Sequence, residues 1–160
     1  MTTALRATRM ALAHASLERL VEQRGDAVRD VMERYYRAMP EARHSFLNHG
    51  LGDVDGLEAR MVSESFFLLL RWVEEPRGTS IDQATTIVHH NDTLEIGPRW
   101  YMGLVDAALA VLRETVPSGA HGEREMWHDV RAEIARFIDS LRPEFLRNID
   151  PQPLASTQPS

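Results

Sequence analysis

The chain has no cysteine and no lysine, so all 18 of its basic residues are arginine. The lack of cysteine excludes disulfides, cysteine-based zinc sites and iron–sulfur clusters, and it fits a reducing cytoplasm. Acidic residues outnumber basic ones, which gives a net charge of -6 and an isoelectric point near 5.6. This charge balance argues against nucleic acid as the main partner.

Long apolar runs are also missing. The two longest, Phe66 to Leu70 and Ala107 to Leu112, are far too short to span a bilayer. Charged residues interrupt the N-terminal segment, so no signal peptide is expected. A chain of 160 residues with 43% apolar residues is typical of one globular domain. We therefore expect a cytoplasmic protein with no membrane partner.

The spacing of apolar residues is helical along most of the chain, and no segment shows convincing strand alternation. The sequence predicts an all-α fold of about six long helices plus a short connecting helix. Pro40 ends the second helix because the residue before a proline resists the helical conformation. Pro98 suits the first turn of a later helix. The expected long helices cover roughly residues 4–22, 27–39, 57–73, 98–115 and 123–141, and a further one opens at Ser80 and carries His89 and His90.

Two helix starts are predicted from capping patterns. Asp55 is expected to cap the helix that follows, with Glu58 three residues later. Ser80 is expected to open the next helix, with Gln83 at the matching position. The segment 147–160 is rich in proline and polar residues and is expected to be disordered, which leaves residues 1–146 as the folded domain.

Two adjacent histidines, His89 and His90, lie near the end of a predicted helix. At about 100° per residue, His90 shares a face with Ile87 and Leu94, whereas His89 lies beside threonines. One imidazole therefore points inward and the other toward solvent. A buried histidine is often a core residue hydrogen-bonded to a carbonyl, but His90 is also a candidate ligand.

The residues after His90 resemble the corner that follows the haem ligand in haemoglobin-type globins. Four residues keep that spacing, at +4, +6, +8 and +11: Leu94, Ile96, Pro98 and Tyr101. The segment PRWYMG resembles the start of the corresponding helix in globin-coupled sensors, which are bacterial haem oxygen sensors. In those sensors the ligand histidine usually lies seven residues before the proline, a place taken here by Asn91. The resemblance implies His90 as the axial ligand of the iron, with His89 as the fallback.

Two further segments carry the same resemblance. VMERYYRAMPEARHSFLN is similar to the second and third globin helices, and EMWHDVRAEIARFI is similar to the last helix of bacterial globins. The likeness covers roughly Leu20 to Leu141. The chain thus resembles the globin superfamily, with the sensor globin domain and sensor-type single-domain globins closest to it. A globin-like fold around a haem pocket is the expected architecture.

The resemblance implies haem b, iron protoporphyrin IX, as the cofactor. Ligation by His90 requires a neutral imidazole whose other nitrogen is held by a partner, and the carbonyl or hydroxyl of Thr86 is the candidate. The candidate walls of the haem pocket are Phe46, Met61, Phe66, Tyr101 and Val105.

Several residues are candidates for lining the side of the pocket where a gas would bind. Sensor globins commonly carry a tyrosine on the second helix whose hydroxyl bonds oxygen, and this chain offers Tyr35 and Tyr36. One alignment puts Met32 over the iron, and another puts Tyr36 there. No histidine occurs on the long helix between Leu57 and Val73, where Met61 or Ser65 would face the gas.

The function implied is reversible binding of oxygen or another diatomic gas, CO or NO, as a gas sensor, with no catalytic residues assigned. A haem-free globin that serves as a signalling or interaction module stays open. Nitric oxide dioxygenation with a separate reductase and an unrelated ligand-binding helical bundle also stay open. A metal site of His44, His49 and His89 is conceivable, although its spacing matches no motif.

A homodimer through the last two helices is a further expectation. The predicted helix 98–115 carries small residues that would allow close approach of a second copy: Gly103, Ala107, Ala108 and Ala110. Sensor-type globins often pair through these helices.

Overall fold

Seven α-helices build the structure, a computed structural model that describes the backbone of residues 1–145 and the side chains of residues 1–141. No strand occurs in this part of the chain, so the prediction of an all-α fold is confirmed. The expected tail at 147–160 and the domain end at 146 lie outside the described residues. In chain order the helices are α1 (Thr3–Arg24), α2 (Val28–Ala38), α3 (Ala42–His49), α4 (Val54–Glu74), α5 (Pro76–Thr93), α6 (Pro98–Glu114) and α7 (His121–Phe145).

Several helix ends agree with the sequence signals. Gly25 ends α1 with a φ of 60°, a left-handed conformation that glycine adopts without steric cost. Helix α2 stops at Ala38, two residues before Pro40. Pro98 is the first residue of α6, where its missing N–H needs no helical partner.

The predicted start of α4 is wrong by three residues. Asp53, and not Asp55, is the N-cap, because its carboxylate accepts the backbone N–H of Gly56 at 2.9 Å. Asp55 lies in the first turn instead, where its negative charge still favours the helix N-terminus.

The predicted start of α5 is also wrong. The helix begins at Pro76, and the Glu75 carboxylate caps it by accepting the N–H of Gly78 at 3.3 Å. Ser80 therefore lies inside the helix. Glu75 is the single residue between α4 and α5. The hydroxyl of buried Thr79 fixes this corner, since it lies 2.7 Å from the Glu75 carbonyl and 3.0 Å from the Arg71 carbonyl.

Helix α4 lies at the centre of the fold and contacts each of the other six helices. The core is formed by the inner faces of these helices and includes the fully buried side chains of Leu69, Ile87, Leu112 and Trp127. Within residues 1–145, no helix combines the length and the apolar character needed to cross a membrane.

Gly103 permits the close packing of α2 against α6. A Cβ atom at this position would lie 2.5 Å from the Met39 sulfur and 3.2 Å from the Tyr35 ring. The neighbouring Ala107 and Ala108 are buried as well. These small residues therefore serve contacts within one chain, and their size does not by itself indicate a homodimer. Pairing through α6 and α7 stays a prediction.

Candidate functional site

An apolar cavity of about 320 Å³ lies between α2, α4, α5 and α6, with α3 at one end. This volume is in the range of small-molecule binding sites. Its apolar and aromatic walls are Tyr35, Phe46, Met61, Leu68, Ile96, Trp100, Tyr101, Leu104 and Val105. Its polar lining residues are Arg60, Glu64, Ser65, Gln83, Thr86 and His90.

Helical spacing explains how the sequence builds these walls. On α4, Met61, Ser65 and Leu68 are three and four residues apart, so they share one face. On α5 the residues that share the cavity face are Gln83, Thr86 and His90. The wall of α6 is formed in the same way by Tyr101, Leu104 and Val105.

One ring nitrogen of His90 has a fixed hydrogen-bond partner in this cavity. Its Nδ1 lies 2.8 Å from the backbone carbonyl oxygen of Thr86. Because a carbonyl only accepts hydrogen bonds, Nδ1 carries the proton and donates it. In the neutral imidazole this leaves the lone pair on Nε2, the nitrogen through which such a ring binds a metal ion. The neighbouring His89 is exposed on the outer face of α5.

A second contact ties α5 to α6 beside His90. The Tyr101 ring stands edge-on to the His90 ring, with the centroids 6.0 Å apart. The Tyr101 hydroxyl donates a hydrogen bond to Oε1 of Gln83. Burial raises the pKa of Tyr101 well above its usual value, and the negative charge of Glu64 raises it further. The phenol therefore stays protonated and remains a donor at physiological pH.

Helices α2 and α4 contribute two more hydroxyls to the cavity, from Tyr35 and Ser65. Tyr35 is only 3% exposed, and its hydroxyl donates to the Trp100 carbonyl at 3.0 Å. Burial raises the pKa of Tyr35, so it too stays protonated. The Ser65 hydroxyl donates to the Met61 carbonyl at 2.9 Å, one turn earlier on α4.

Most of the residues proposed from the sequence meet in this cavity. His90 and Ser65 line it together with the four proposed wall residues Phe46, Met61, Tyr101 and Val105. Phe66 is not among the lining residues and packs, partly buried, against the core.

Met32 and Tyr36, the two residues proposed to lie over the iron, do not line this cavity. Both line a separate groove between α2, α3 and α4. The Tyr36 hydroxyl donates to the Glu58 carboxylate at 2.6 Å, and burial and this hydrogen bond raise its pKa. Of the two adjacent tyrosines, Tyr35 is therefore the one at the cavity.

Sequence reasoning missed several lining residues. Leu68 and Gln83 follow the helical spacing from Met61 and His90, so that spacing could have revealed them. Arg60 and Glu64 gave no signal, since charged residues on a helix are usually read as a solvated face.

The lining residues fit a haem group. A neutral imidazole that donates through Nδ1 can bind iron through Nε2, and the apolar walls suit a flat macrocycle. Arg60, an exposed cation on the lining, can pair with a carboxylate of the porphyrin.

The alternative metal site receives no support from the geometry. Among the described residues, no group of three or more histidine or acidic side chains lies close enough to hold a metal ion. His49 instead uses its Nδ1 in a 2.8 Å contact with the Ser45 carbonyl on its own helix.

The chain matches no protein-family model, no curated protein and no solved structure. The functional proposal therefore depends on the cavity and on the resemblance in sequence.

Proposed function

We propose that the chain is a haem-binding globin that reversibly binds a diatomic gas and acts as a gas sensor. The observation that carries the proposal is the state of His90, whose Nδ1 is held by the Thr86 carbonyl while the side chain lines an apolar cavity. A purely structural role for His90 in the core would leave the adjoining cavity of about 320 Å³ unexplained.

A globin-like arrangement of the helices is part of this proposal. The short α3 between α2 and α4 carries Phe46 to the cavity, as the resemblance to the second and third globin helices implies. Pro98 opens α6 eight residues after His90, and Tyr101 then reaches the His90 ring.

The chain's own residues have separate tasks in this proposal. Haem, when bound, would supply an iron that binds a small gas reversibly. Nε2 of His90 would hold the iron, and the Thr86 carbonyl would fix the orientation and tautomer of the imidazole. Phe46 and Val105 would pack against the macrocycle and exclude water, and Arg60 would pair with one of its carboxylates.

The test is the absorption spectrum of the protein reconstituted with haem. We expect a Soret band in the wild type, its loss or strong shift in His90→Ala, and its retention in His89→Ala. The two histidines are adjacent, but only His90 lines the cavity, so His89→Ala is the matched control.

A rescue experiment separates ligation from folding. The His90→Gly variant with added imidazole should recover the spectrum of the wild type, because free imidazole can replace the missing ligand. A wild type that takes up no haem would reject the proposal and favour the haem-free signalling module.

A further inference from the structure

The groove between α2, α3 and the start of α4 lies outside the cavity, and it is called the outer groove below. Its volume is about 670 Å³, and it shares no lining residue with the cavity that contains His90. Its apolar lining includes Val28, Met32, Leu47 and Val54, and its charged lining includes Arg43 and Asp55. An apolar surface bordered by charged side chains is typical of a protein interface.

Leu51 lies in solvent beside the outer groove. It belongs to the connection between α3 and α4, four residues after Leu47 and three before Val54, both of which line the groove. It is 92% exposed, more than any other large apolar residue in the described part of the chain. Its φ is 49°, a left-handed conformation that is rare for a bulky side chain. Within one chain, both the exposure and the backbone conformation disfavour leucine here.

The turn that carries Leu51 is held in place by its neighbours. The backbone N–H of Asp53 donates to the Gly50 carbonyl at 2.8 Å, and the Asp53 carboxylate caps α4. A Cβ atom at Gly50 would lie 3.0 Å from Cγ2 of Val54, so the turn packs directly against the first residue of α4. Because the turn is already ordered, little conformational freedom is lost when another molecule covers Leu51.

Two opposite charges beside the groove are available to a partner. Arg43 and Asp55 are exposed, and neither forms an ion pair with another residue in the described part of the chain. Arg43 lies in the first turn of α3. Asp55 follows Val54, the residue against which the other end of α3 packs through Gly50. The two charges therefore lie near opposite ends of α3, a helix of 8 residues and so about 12 Å long.

We propose that the outer groove and Leu51 form an interface between two copies of this chain, related by a two-fold axis near the middle of α3. Such an axis makes every contact twice, because the same surface faces itself. It sets α3 antiparallel to its copy, so the Arg43 end of one helix meets the Asp55 end of the other. Leu51 of each copy enters the apolar groove of the other beside Met32.

A second copy fits this face because it supplies each complement that the face needs. It brings an exposed leucine for the groove, a groove for the exposed leucine, and an opposite charge for both Arg43 and Asp55. The interface differs from pairing through α6 and α7, since no residue of either helix lines the outer groove. The inference does not depend on the proposed haem function, because the groove and the cavity have no lining residue in common.

Sedimentation velocity of the purified full chain over the micromolar range measures this pairing. We expect a concentration-dependent dimer for the wild type. Leu51→Asp should raise the dissociation constant at least tenfold, equivalent to about 1.4 kcal/mol, because a carboxylate would lose its water in the groove. Ile81→Asp is the matched control, since Ile81 is 71% exposed on α5 and does not line the groove. It should change the dissociation constant by less than twofold.

Leu51→Gly separates pairing from folding. It should weaken the dimer as strongly as Leu51→Asp, because the apolar side chain is removed. Its melting temperature, measured below the dissociation constant of the wild type, should be at or above that of the wild type, because glycine adopts a positive φ without steric cost. A lower affinity in this variant therefore cannot be caused by misfolding.

Mixing two charge-reversal variants tests whether the contact joins two chains. Arg43→Asp and Asp55→Arg should each pair at least tenfold more weakly alone, because like charges then meet at both copies of the contact. An equimolar mixture should recover pairing close to that of the wild type, since both contacts then join opposite charges. A contact within one chain could not be restored by mixing.

Three results would overturn the inference. The first is a wild type that stays monomeric throughout the micromolar range. The second is a dimer that neither Leu51→Asp nor Leu51→Gly weakens, which would place the pairing on other helices such as α6 and α7. The third is a mixture of the charge-reversal variants that stays monomeric, which would exclude the two-fold arrangement. The haem spectrum tests the proposed function separately and is not affected by any of these results.

Discussion

The guanidinium of Arg19 holds the buried carboxylate of Glu123 by two hydrogen bonds, of 2.7 and 3.1 Å, and so ties α1 to α7. The Ser16 hydroxyl donates to the same carboxylate and accepts the indole N–H of Trp127 at 2.9 Å. Glu123 is therefore the common acceptor of a polar cluster inside an otherwise apolar interface, and the stability of that interface depends on its charge.

The Glu123→Gln variant should be less stable than the wild type by about 1.5–3 kcal/mol, the range for hydrogen bonds to a charged group. The amide keeps the shape of the side chain but cannot accept as strongly from Arg19. Urea unfolding followed by circular dichroism measures the change. Glu125→Gln, an exposed position on the same helix, is the control and should stay within about 0.5 kcal/mol. An equal loss in both variants would show that the Arg19 pair contributes nothing specific.

Stability should also fall in acid through the same carboxyl group. Burial alone raises the pKa of Glu123, but the hydrogen bonds from Arg19 and Ser16 outweigh it, so the pKa lies below its usual value of 4.5. A lowered folded-state pKa contributes stability above the unfolded-state pKa, and this contribution is lost as pH falls through the folded-state value. The difference in unfolding free energy between wild type and Glu123→Gln should therefore shrink from pH 6 toward pH 3. A difference that grows in acid would contradict this assignment.

The Phe46→Ala and Phe66→Ala variants should differ in their rate of haem loss in a transfer assay to apomyoglobin. Phe46 lines the cavity, whereas Phe66 packs against the core outside it. Phe46→Ala should speed haem loss, and each variant should be destabilised by up to about 3–5 kcal/mol as a large-to-small change. Phe66→Ala should leave haem loss unchanged at a temperature where it is folded. Faster loss in Phe66→Ala alone would place the macrocycle elsewhere.

Glu95→Gly should stabilise the protein. Glu95, an exposed residue, has a φ of 56°, a left-handed conformation that costs a side-chain-bearing residue about 1–2 kcal/mol. Glycine removes that cost but loses more chain entropy on folding, so we expect a net gain of about 0.5–1 kcal/mol in thermal unfolding. Glu95→Ala keeps the Cβ atom and should show no gain. A loss of stability in Glu95→Gly would mean that the glutamate side chain has an important contact.

The inward face of α5 could be predicted from the sequence, but the start of α5 could not. His90 and Ile87 share the face that the 3.6-residue period assigns to them, and this period depends only on the regular helix. A proline such as Pro76 can end a helix, because it lacks the N–H that a helix interior needs. It can equally begin one, because that N–H has no helical partner in the first turn. In the structure, the Glu75 cap on the Gly78 N–H and the Thr79 hydroxyl at the corner accompany the second role.

The choice between Tyr35 and Tyr36 was likewise beyond the sequence. The two residues lie about 100° apart on α2, and each position can face an apolar neighbour. Gly103 determines which tyrosine lies at the cavity. It lets α6 approach the Tyr35 ring closely, and the Tyr35 hydroxyl then donates to the Trp100 carbonyl. A contact between helices so distant along the chain leaves no local pattern.

The corner at Glu75 restricts how the α4 and α5 walls of the cavity can move apart. Because one residue joins α4 to α5, and Thr79 locks that residue to the preceding turn, these two walls cannot separate at this end. Widening must be a rotation about the corner that grows with distance from it. His90 lies 15 residues beyond Glu75, about 22 Å along the helix, so a rotation of about 10° would move it by about 4 Å. Under the proposed haem function, we therefore expect the porphyrin to enter from the side remote from the corner.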